Sequence, residues 1–542
     1  MINNQTGVTS IRAAGRNLRG WTGGGVVGAV AVGALLVGSV PAAAAASSIP
    51  RSTSPVAKGA AAEVNAVPVR GDIRDPLARF YTQKVTWTPC GQGAECAKIR
   101  VPLSYSKPQG RTILIALARR ITAGAKAPYL FFDPGGPGGS GTDFITSQSN
   151  FDVLLNPSSP PVRSAYNFLG FDPRGVNRST RLTCLTQAQT TALAVGELPI
   201  TRAQVRARAA LSGSISQGCE RRARTLTANI GTDTVARDLE VARIVLKQSR
   251  LNYYGVSYGT YIGAIYARLF PGRVGRMLLD AVVPPSGSVA SFAREQAVGF
   301  QSALLDWAAG CPTRVLCPYK SGTADQAVSK VTALIAKLAA NPLPVSGATS
   351  FGGSQFRGLT LTALSAGAAF WPVLDIWAWL AEAAIPQSGP ALQKDYETFV
   401  ATAQTPNAVS VLNAVNCFDR PSAGTTATTV ARSAAWSTQS PTFGAALAWG
   451  VQPCFSWPFQ TSRTPAGLRS ATLRPVLLIG GLHDPNTPYQ WAQQMTKQFR
   501  HGRLLTWTGF GHGATTRADP CVNNQAADYL VTGRLPGLGA RC

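Results

Sequence analysis

The stretch Gly255-Val256-Ser257-Tyr258-Gly259 decides the fold of this chain. It fits the pattern G-x-S-x-G, which a glycine-rich chain also meets by chance, so the flanking sequence carries the argument. Residues 251–254 upstream are aromatic and strand-like, and residues 260–270 downstream repeat apolar side chains at helical spacing until Pro271-Gly272. A strand, a tight turn and a helix in this order predict a nucleophile elbow that exposes the hydroxyl of Ser257.

A serine hydroxyl needs a base to take its proton, and the chain has only three histidines. His512 follows the apolar run 504–507 and lies in a glycine-rich loop, which suits a catalytic imidazole. His501 stands between basic neighbours and is interpreted as a solvated surface residue. His483 can be explained as a strand cap, so His512 is the predicted base.

The acid that orients the base is expected between the serine and the histidine in sequence. Asp484 follows the buried-strand run 475–481, and open α/β sheets place their chemistry at the carboxyl ends of strands. The simpler alternative is that Asp484 caps a turn before Pro485. Asp280, at the end of the strand after the elbow, is the rival acid. Asp484 is the predicted member of the triad.

Two N–H groups are expected to stabilise the charge that develops on the substrate oxygen. The residue after the nucleophile, Tyr258, supplies one of them. The other is expected from the loop 133–141, which follows an earlier strand and is rich in glycine. Pro137 has no N–H, so Gly136 is preferred and Gly138 is the alternative. The loop lacks the spacing of a phosphate or dinucleotide cradle.

The order of predicted elements indicates an α/β-hydrolase fold, with a mostly parallel central sheet, helices on both faces and an inserted, mainly helical cap. Strands are predicted at 112–118, 128–132, 166–171, 251–254 and 276–280, with a helix at 232–246. The first part of the core is expected at residues 76–286, the cap at 287–455 and the second part of the core at 456–542.

These motifs resemble those of the secreted tripeptidyl aminopeptidases, α/β-hydrolases that are related to the prolyl iminopeptidases. The resemblance runs from Trp87 to Cys542. Beyond the residues above, it rests on the motifs Trp87-Thr88-Pro89-Cys90, Val101-Pro102-Leu103-Ser104-Tyr105, Gly170-Phe171-Asp172-Pro173-Arg174-Gly175, Thr487-Pro488 and Gly533-Arg534-Leu535-Pro536. It implies a secreted serine exopeptidase that releases short peptides, with tripeptides preferred, from the free amino terminus of peptides through an acyl-enzyme.

The chain departs from these relatives at two places. Asp133-Pro134 precedes the oxyanion-loop glycines, where prolyl iminopeptidases carry a histidine. Asn177 stands where the family has a further glycine; because asparagine tolerates a positive φ, we expect the turn to be kept.

Ten cysteines in an exported chain predict disulfides. The spacing leaves the connectivity open, and the family resemblance supports sequential pairing: Cys90 with Cys96, Cys184 with Cys219, Cys311 with Cys317, Cys417 with Cys454, and Cys521 with Cys542. No Cys-x-x-Cys or Cys/His cluster is present in the sequence, so no metal is expected. No organic cofactor is expected either.

The amino-terminal segment and the charge concern location. Residues 1–46 combine a basic start, an apolar run and an A-x-A site, which predicts a signal peptide, and residues 47–75 are interpreted as a linker or propeptide. The protein is therefore expected to be extracellular, with no stable membrane insertion after cleavage. The net charge of +26 comes mostly from isolated arginines. Because these arginines are isolated, they disfavour a nucleic-acid site. The positive charge itself favours electrostatic contact with an anionic cell envelope.

The leading functional hypothesis is a peptidase that recognises a free α-ammonium, which requires a carboxylate or equivalent acceptors. The carboxylates considered for this role are Asp375, Glu382, Glu397 and Asp419, with Asp419 and Glu382 preferred. A carboxylesterase or lipase with the same triad is the alternative. A catalytically inactive fold that binds the envelope is the third hypothesis, which the complete triad disfavours.

Overall fold

The computed structural model describes residues 75–154, 160–347, 349–401, 404–420, 422–459 and 468–542. The predicted signal peptide, residues 1–46, and the predicted linker as far as residue 74 lie outside the described residues.

A nine-stranded sheet forms the centre of the molecule, in the order β1-β2-β3-β5-β4-β6-β7-β10-β11. The first three strands are antiparallel, and β3 also pairs antiparallel with β5; the strands from β5 to β11 are parallel. The mostly parallel sheet is confirmed. The strands are β1 (Thr88–Gly91), β2 (Ala94–Pro102), β3 (Thr112–Arg120), β4 (Tyr129–Asp133), β5 (Asn167–Phe171), β6 (Leu251–Val256), β7 (Val274–Asp280), β10 (Val476–His483) and β11 (Gly502–Phe510). A separate hairpin contains β8 (Leu343–Ser346) and β9 (Thr349–Phe351).

Helices connect and cover these strands. They are α1 (Ala78–Tyr81), α2 (Gly141–Thr146), α3 (Gln148–Val153), α4 (Pro160–Ala165), α5 (Gln187–Val195), α6 (Arg202–Thr227), α7 (Thr232–Val245), α8 (Tyr258–Leu269), α9 (Val289–Ala309), α10 (Ala324–Ala340), α11 (Gly353–Ala366), α12 (Trp371–Ala383), α13 (Ser388–Phe399), α14 (Pro406–Asp419), α15 (Thr426–Ser437), α16 (Gly444–Val451), α17 (Tyr489–Gln498) and α18 (Pro520–Thr532).

Both faces of the sheet are buried. Successive residues of a strand point to opposite faces, and Phe131 joins the cluster formed with α7 and α8 whereas Phe132 joins the cluster formed with α18. This two-sided burial explains why the parallel strands are apolar throughout.

The chain between β7 and β10 contains α9 to α16 and the β8-β9 hairpin. Trp307, Phe356 and Trp377 belong to a separate buried cluster within it. The insertion is thus mainly helical, with a short hairpin that the sequence did not predict. Its boundaries at 287 and 455 remain a prediction, since Val411 and Val415 of α14 pack into the core beneath the sheet.

Candidate active site

The nucleophile elbow lies between β6 and α8. Ser257 has φ 57° and ψ −125°, a backbone conformation that is rare for a residue with a side chain. A Cβ at Gly255 would lie 2.5 Å from the carbonyl oxygen of Gly259, and one at Gly259 would lie 2.6 Å from that of Asp133. Both glycines of the motif are therefore required by close backbone packing, and the turn places Ser257 at the end of a buried strand.

The predicted acid and base are in contact. His512 Nδ1 lies 2.8 Å from both carboxylate oxygens of Asp484, and both residues are buried. The Thr487 hydroxyl donates to Asp484 Oδ2 at 2.8 Å, and the N–H groups of Asn486 and Thr487 donate to Oδ1 at 2.9 Å. With Nδ1 donating to the carboxylate, the lone pair of the neutral imidazole is on Nε2. Nε2 is buried without a partner among the described residues, and is thus free to take a proton.

The rival acid, Asp280, contacts the residues that follow His512 and not the imidazole. Its carboxylate accepts hydrogen bonds from the N–H groups of Ala514, at 3.2 Å, and Thr515, at 2.8 Å. Its backbone carbonyl accepts the Ser257 N–H at 2.9 Å. Burial raises the pKa of Asp280. Asp280 thus anchors both the elbow and the chain after His512, whereas Asp484 contacts the imidazole itself.

The oxyanion loop packs directly on the elbow. A Cβ at Gly135, where φ is 93°, would lie 2.8 Å from the Tyr258 nitrogen and 2.9 Å from the Ser257 Cβ. Gly136 and Tyr258 line the same cavity as Ser257. Gly138 lies against α14, where a Cβ would be 3.4 Å from the Ala408 oxygen. This geometry favours the Gly136 N–H over that of Gly138 as the second donor.

Asp133, the last residue of β4, is a buried carboxyl at the root of this loop. Its Oδ1 accepts the Gly135 N–H at 2.8 Å, and its buried Oδ2 has no partner in the described part of the chain. Burial raises the pKa of Asp133 to about 8, and the nearby Asp172 acts in the same direction. Between these two values the folded protein thus holds a proton on Asp133 that the unfolded chain, with a pKa of about 4, loses.

Stability should therefore fall as the pH rises from about 4 to 8 through Asp133 alone, because only the folded state keeps the proton over that range. Asp133→Asn, which cannot ionise, should be more stable than the wild type at pH 8, and the difference in Tm should shrink towards pH 5. Thermal unfolding at several pH values measures this. Asp325→Asn, at an exposed helix start, is the control. A Tm difference for Asp133→Asn that is independent of pH would contradict the prediction.

The loop that carries His512 rests on the inserted helix α11. The His512 N–H donates to the Ser365 carbonyl at 2.9 Å. The Arg517 guanidinium donates to the carbonyls of Ser365 at 2.7 Å, Ala366 at 2.6 Å and His512 at 2.8 Å. Burial lowers the pKa of Arg517 to about 10, against the opposing effect of Asp484 and Asp280, so it stays charged at neutral pH. The last carbonyls of a helix lack intrahelical donors and favour such a cation.

A cavity opens over Ser257 beneath the inserted helices. Its walls come from the oxyanion loop, α9, α14, α16 and the loop after Asp484. The described lining residues include Phe292, Asn413, Asn416, Arg420, Leu447 and Thr487. The apolar residues Phe370, Leu374 and Trp377 pack in the core of the insertion and not against this cavity.

The carboxylates predicted to bind an ammonium do not line this cavity. Asp419 is buried, and its oxygens accept from the N–H and hydroxyl of Thr232. Burial raises its pKa to about 6. Glu382 accepts from the Tyr319 hydroxyl at 2.8 Å. The placement of Asp419 and Glu382 therefore gives no support to a role in binding substrate, because the carboxylates are engaged by other parts of the protein.

The other two carboxylates are also engaged. Asp375 accepts from Arg314 Nε at 2.7 Å and from Trp307 Nε1 at 3.0 Å, and Glu397 accepts from Gln393 at 2.7 Å. The Asp375 contacts join α12 to α9 and to the chain that follows α9, whereas the Glu397 contact lies within α13.

The motif 170–175 supports the oxyanion loop through hydrogen bonds and a buried ion pair. Asp172 accepts from Thr142 and from the Ser140 hydroxyl at the end of the oxyanion loop. Arg174 forms a buried ion pair with Asp238 at 2.7 Å. Asn177 has φ 34°, as expected for a residue that replaces glycine at this turn. The motif is structural and keeps the loop that carries Gly136 in place.

The structure contains five disulfides, and the described residues include no free cysteine. They join Cys90 to Cys96, Cys184 to Cys219, Cys311 to Cys317, Cys417 to Cys454 and Cys521 to Cys542. Within the described ranges there is no His, Cys, Asp and Glu group of metal-binding size, and no helix has the length and apolarity needed to cross a bilayer.

Comparison with known proteins gives two family matches and several relatives. The profile of a family described as "TAP-like protein" matches residues 440–542, and that of "alpha/beta hydrolase fold" matches residues 128–322. A tripeptidyl aminopeptidase of Streptomyces lividans is 30% identical over 86% of this chain and 88% of its own. Serine protease Hip1 of Mycobacterium bovis is 29% identical over 85% of this chain and 91% of its own.

Carboxylesterase B of Mycobacterium tuberculosis is also 29% identical, over 87% of this chain and 92% of its own. Among solved structures, an α/β-hydrolase from a deep-sea metagenome library covers 78% of this chain and 96% of its own at 11% identity, with a TM-score of 0.36. The names of the relatives include both peptidases and an esterase, so the choice of substrate requires a separate argument.

Proposed function

This chain is a serine hydrolase that belongs to the tripeptidyl aminopeptidase family of α/β-hydrolases, and we propose that it releases tripeptides from the free amino terminus of peptides. The observation that carries the proposal is the cavity over Ser257, which is lined by the inserted helices α9, α14 and α16. Walls supplied by inserted helices on several sides favour a chain end over the middle of a long polypeptide. The name of the relative from Streptomyces lividans supports the same reaction.

In the proposed mechanism, Ser257 Oγ attacks the peptide carbonyl carbon while His512 Nε2 takes the hydroxyl proton. Asp484 holds Nδ1–H and stabilises the imidazolium that forms. The N–H groups of Gly136 and Tyr258 donate to the oxyanion. The imidazolium returns the proton to the leaving amine, and water then hydrolyses the acyl-enzyme by the same relay.

The second candidate is a carboxylesterase that uses the same residues on an ester. It is favoured by the relative named carboxylesterase B. The two candidates differ in whether the substrate needs an ammonium group and an amide bond.

We further propose that the mature protein acts outside the cell. The five disulfides support an oxidising compartment, and the predicted signal peptide at residues 1–46 supports export. Removal of residues 1–46, which carry three arginines and no acidic residue, lowers the net charge from +26 to +23. This charge favours contact with an anionic envelope, and such contact should weaken as salt rises.

A matched set of substrates tests the reaction. A tripeptide p-nitroanilide with a free amino terminus should be cleaved with a kcat/KM at least ~10-fold above that of its N-acetylated twin, because acetylation removes the ammonium and its hydrogen bonds. Equal cleavage of the two would contradict the aminopeptidase, and turnover of a p-nitrophenyl ester without turnover of either anilide would favour the esterase.

A further inference from the structure

Arg420 directly follows the last residue of α14 and lines the active-site cavity. Asn413 and Asn416 are three residues apart and so lie along the same side of α14. All three line the cavity that contains Ser257. The disulfide between Cys417 and Cys454 ties this end of the helix to the neighbouring chain.

The Arg420 guanidinium is held in a fixed position. The residue is only 4% exposed. Its Cζ lies 3.8 Å from the centre of the Phe292 ring and 4.8 Å from that of Tyr261. Its Nη2 donates to the Pro284 carbonyl at 3.2 Å. Two aromatic rings on different helices and one backbone acceptor thus fix the plane of the guanidinium. None of these three neighbours carries a negative charge.

Within the described structure, no carboxylate forms an ion pair with the Arg420 guanidinium. Arg420 Nη1 is buried without a hydrogen-bond partner, and the described lining of the cavity includes no Asp or Glu. The neighbouring Asp419 directs its oxygens to Thr232. Burial lowers the pKa of Arg420, and Tyr261 and Asp419 oppose that effect. An arginine nevertheless stays charged in a protein, so a buried cation faces the cavity without an ion pair.

We propose that Arg420 binds a carboxylate of the substrate. A buried, unpaired cation is costly, and a carboxylate satisfies a guanidinium with strong, directional hydrogen bonds. The carboxylate belongs either to an aspartate or glutamate side chain or to the carboxyl terminus of a short peptide. This proposal deepens the proposed function. It rests on that function in one respect, because the ligand is taken to be a peptide.

Paired peptides identify the source of the carboxylate. Glutamate is compared with glutamine at each position on both sides of the cleaved bond, and a free carboxyl terminus is compared with an amidated one. One of these pairs should favour the carboxylate by at least ~10-fold in kcat/KM, the effect of a charge-assisted hydrogen bond. The preference should disappear in Arg420→Met and persist in Arg294→Gln, a control at an exposed arginine on α9. Equal and measurable rates within every pair for the wild type would overturn the proposal, whatever the variants do.

A second measurement is independent of peptidase activity. Glutarate should inhibit the turnover of p-nitrophenyl acetate by the wild type, with a Ki at least ~10-fold below that of neutral glutaramide. This difference should be lost in Arg420→Met. Equal inhibition by the two compounds would overturn carboxylate binding. If the anilides are not cleaved but glutarate discriminates in this way, the aminopeptidase proposal fails while the carboxylate site stands.

Discussion

Ser257→Ala is expected to lower kcat by at least about 10³-fold and to leave the fold intact. The change removes only the hydroxyl. Alanine keeps the Cβ in the same positive-φ turn, which is fixed by the packing of Gly255 and Gly259. The variant should retain the Tm of the wild type while losing hydrolysis of the tripeptide anilide and labelling by a fluorophosphonate probe.

His512→Ala should have an effect of similar size, because the hydroxyl then has no base. His501→Ala is the matched control, since His501 is exposed directly before β11. Asp484→Asn should also be severe, because an amide does not hold Nδ1–H as a carboxylate does. Near-normal turnover by His512→Ala, or a larger loss in Asp280→Asn than in Asp484→Asn, would show that the roles are assigned wrongly.

The sequence was informative about the site because the four key segments are local features of parallel strands. Gly136, Ser257, Asp484 and His512 all follow the carboxyl ends of strands, and in a parallel sheet those ends lie at one edge. Each strand is marked by an apolar run and each turn by glycine or proline. The predicted strands at 128–132 and 276–280 correspond to Tyr129–Asp133 and Val274–Asp280.

The remaining features depend on contacts between residues that are distant in sequence. The antiparallel strands β1 and β2 were not predicted, because β1 is a four-residue edge strand and the charged residues Glu95, Lys98 and Arg100 interrupt the apolar pattern of β2. The engagement of Asp419 by Thr232 is a tertiary contact across 187 positions. Arg420 and Arg517 are two among many arginines in the sequence. They are distinguished only in the structure, where burial lowers the pKa of both and each has a buried guanidinium nitrogen without a hydrogen-bond partner among the described residues. Thr487 belongs to the motif Thr487-Pro488, but its contact with Asp484 could be seen only in the fold.

The support of His512 by α11 means that the insertion is part of the catalytic framework. Gly367, just after α11, has φ 82°, and a Cβ there would lie 2.1 Å from the Phe510 carbonyl oxygen. A Cβ at Gly511 would in turn lie 2.8 Å from the Gly367 Cα. With the hydrogen bond from the His512 N–H to Ser365, this close packing ties the helix to the catalytic loop. A movement of α11 therefore has to displace His512.

Arg517→Gln should consequently lower kcat by roughly 10- to 100-fold with a smaller change in KM, because a displacement of about 1 Å in a catalytic group has effects of that order. Glutamine cannot donate to the carbonyls of Ser365, Ala366 and His512 together. The change also removes a positive charge close to Asp484. Removal of this charge favours the protonated form of the His512 imidazole. The acidic limb of kcat/KM should therefore move to higher pH, and the pH profile measures this shift.

Arg517→Lys separates positioning from charge. It keeps the cation but not the planar group of donors, so it should restore the acidic limb towards the wild-type position and recover only part of kcat. Arg500→Gln, at an exposed arginine before β11, is the control and should match the wild type in both readouts. An unchanged pH profile in Arg517→Gln, with kcat lowered only in proportion to a loss of folded protein, would reduce Arg517 to a structural brace. A shifted limb at full folding would show that α11 sets the position and the electrostatic environment of the catalytic histidine through Arg517.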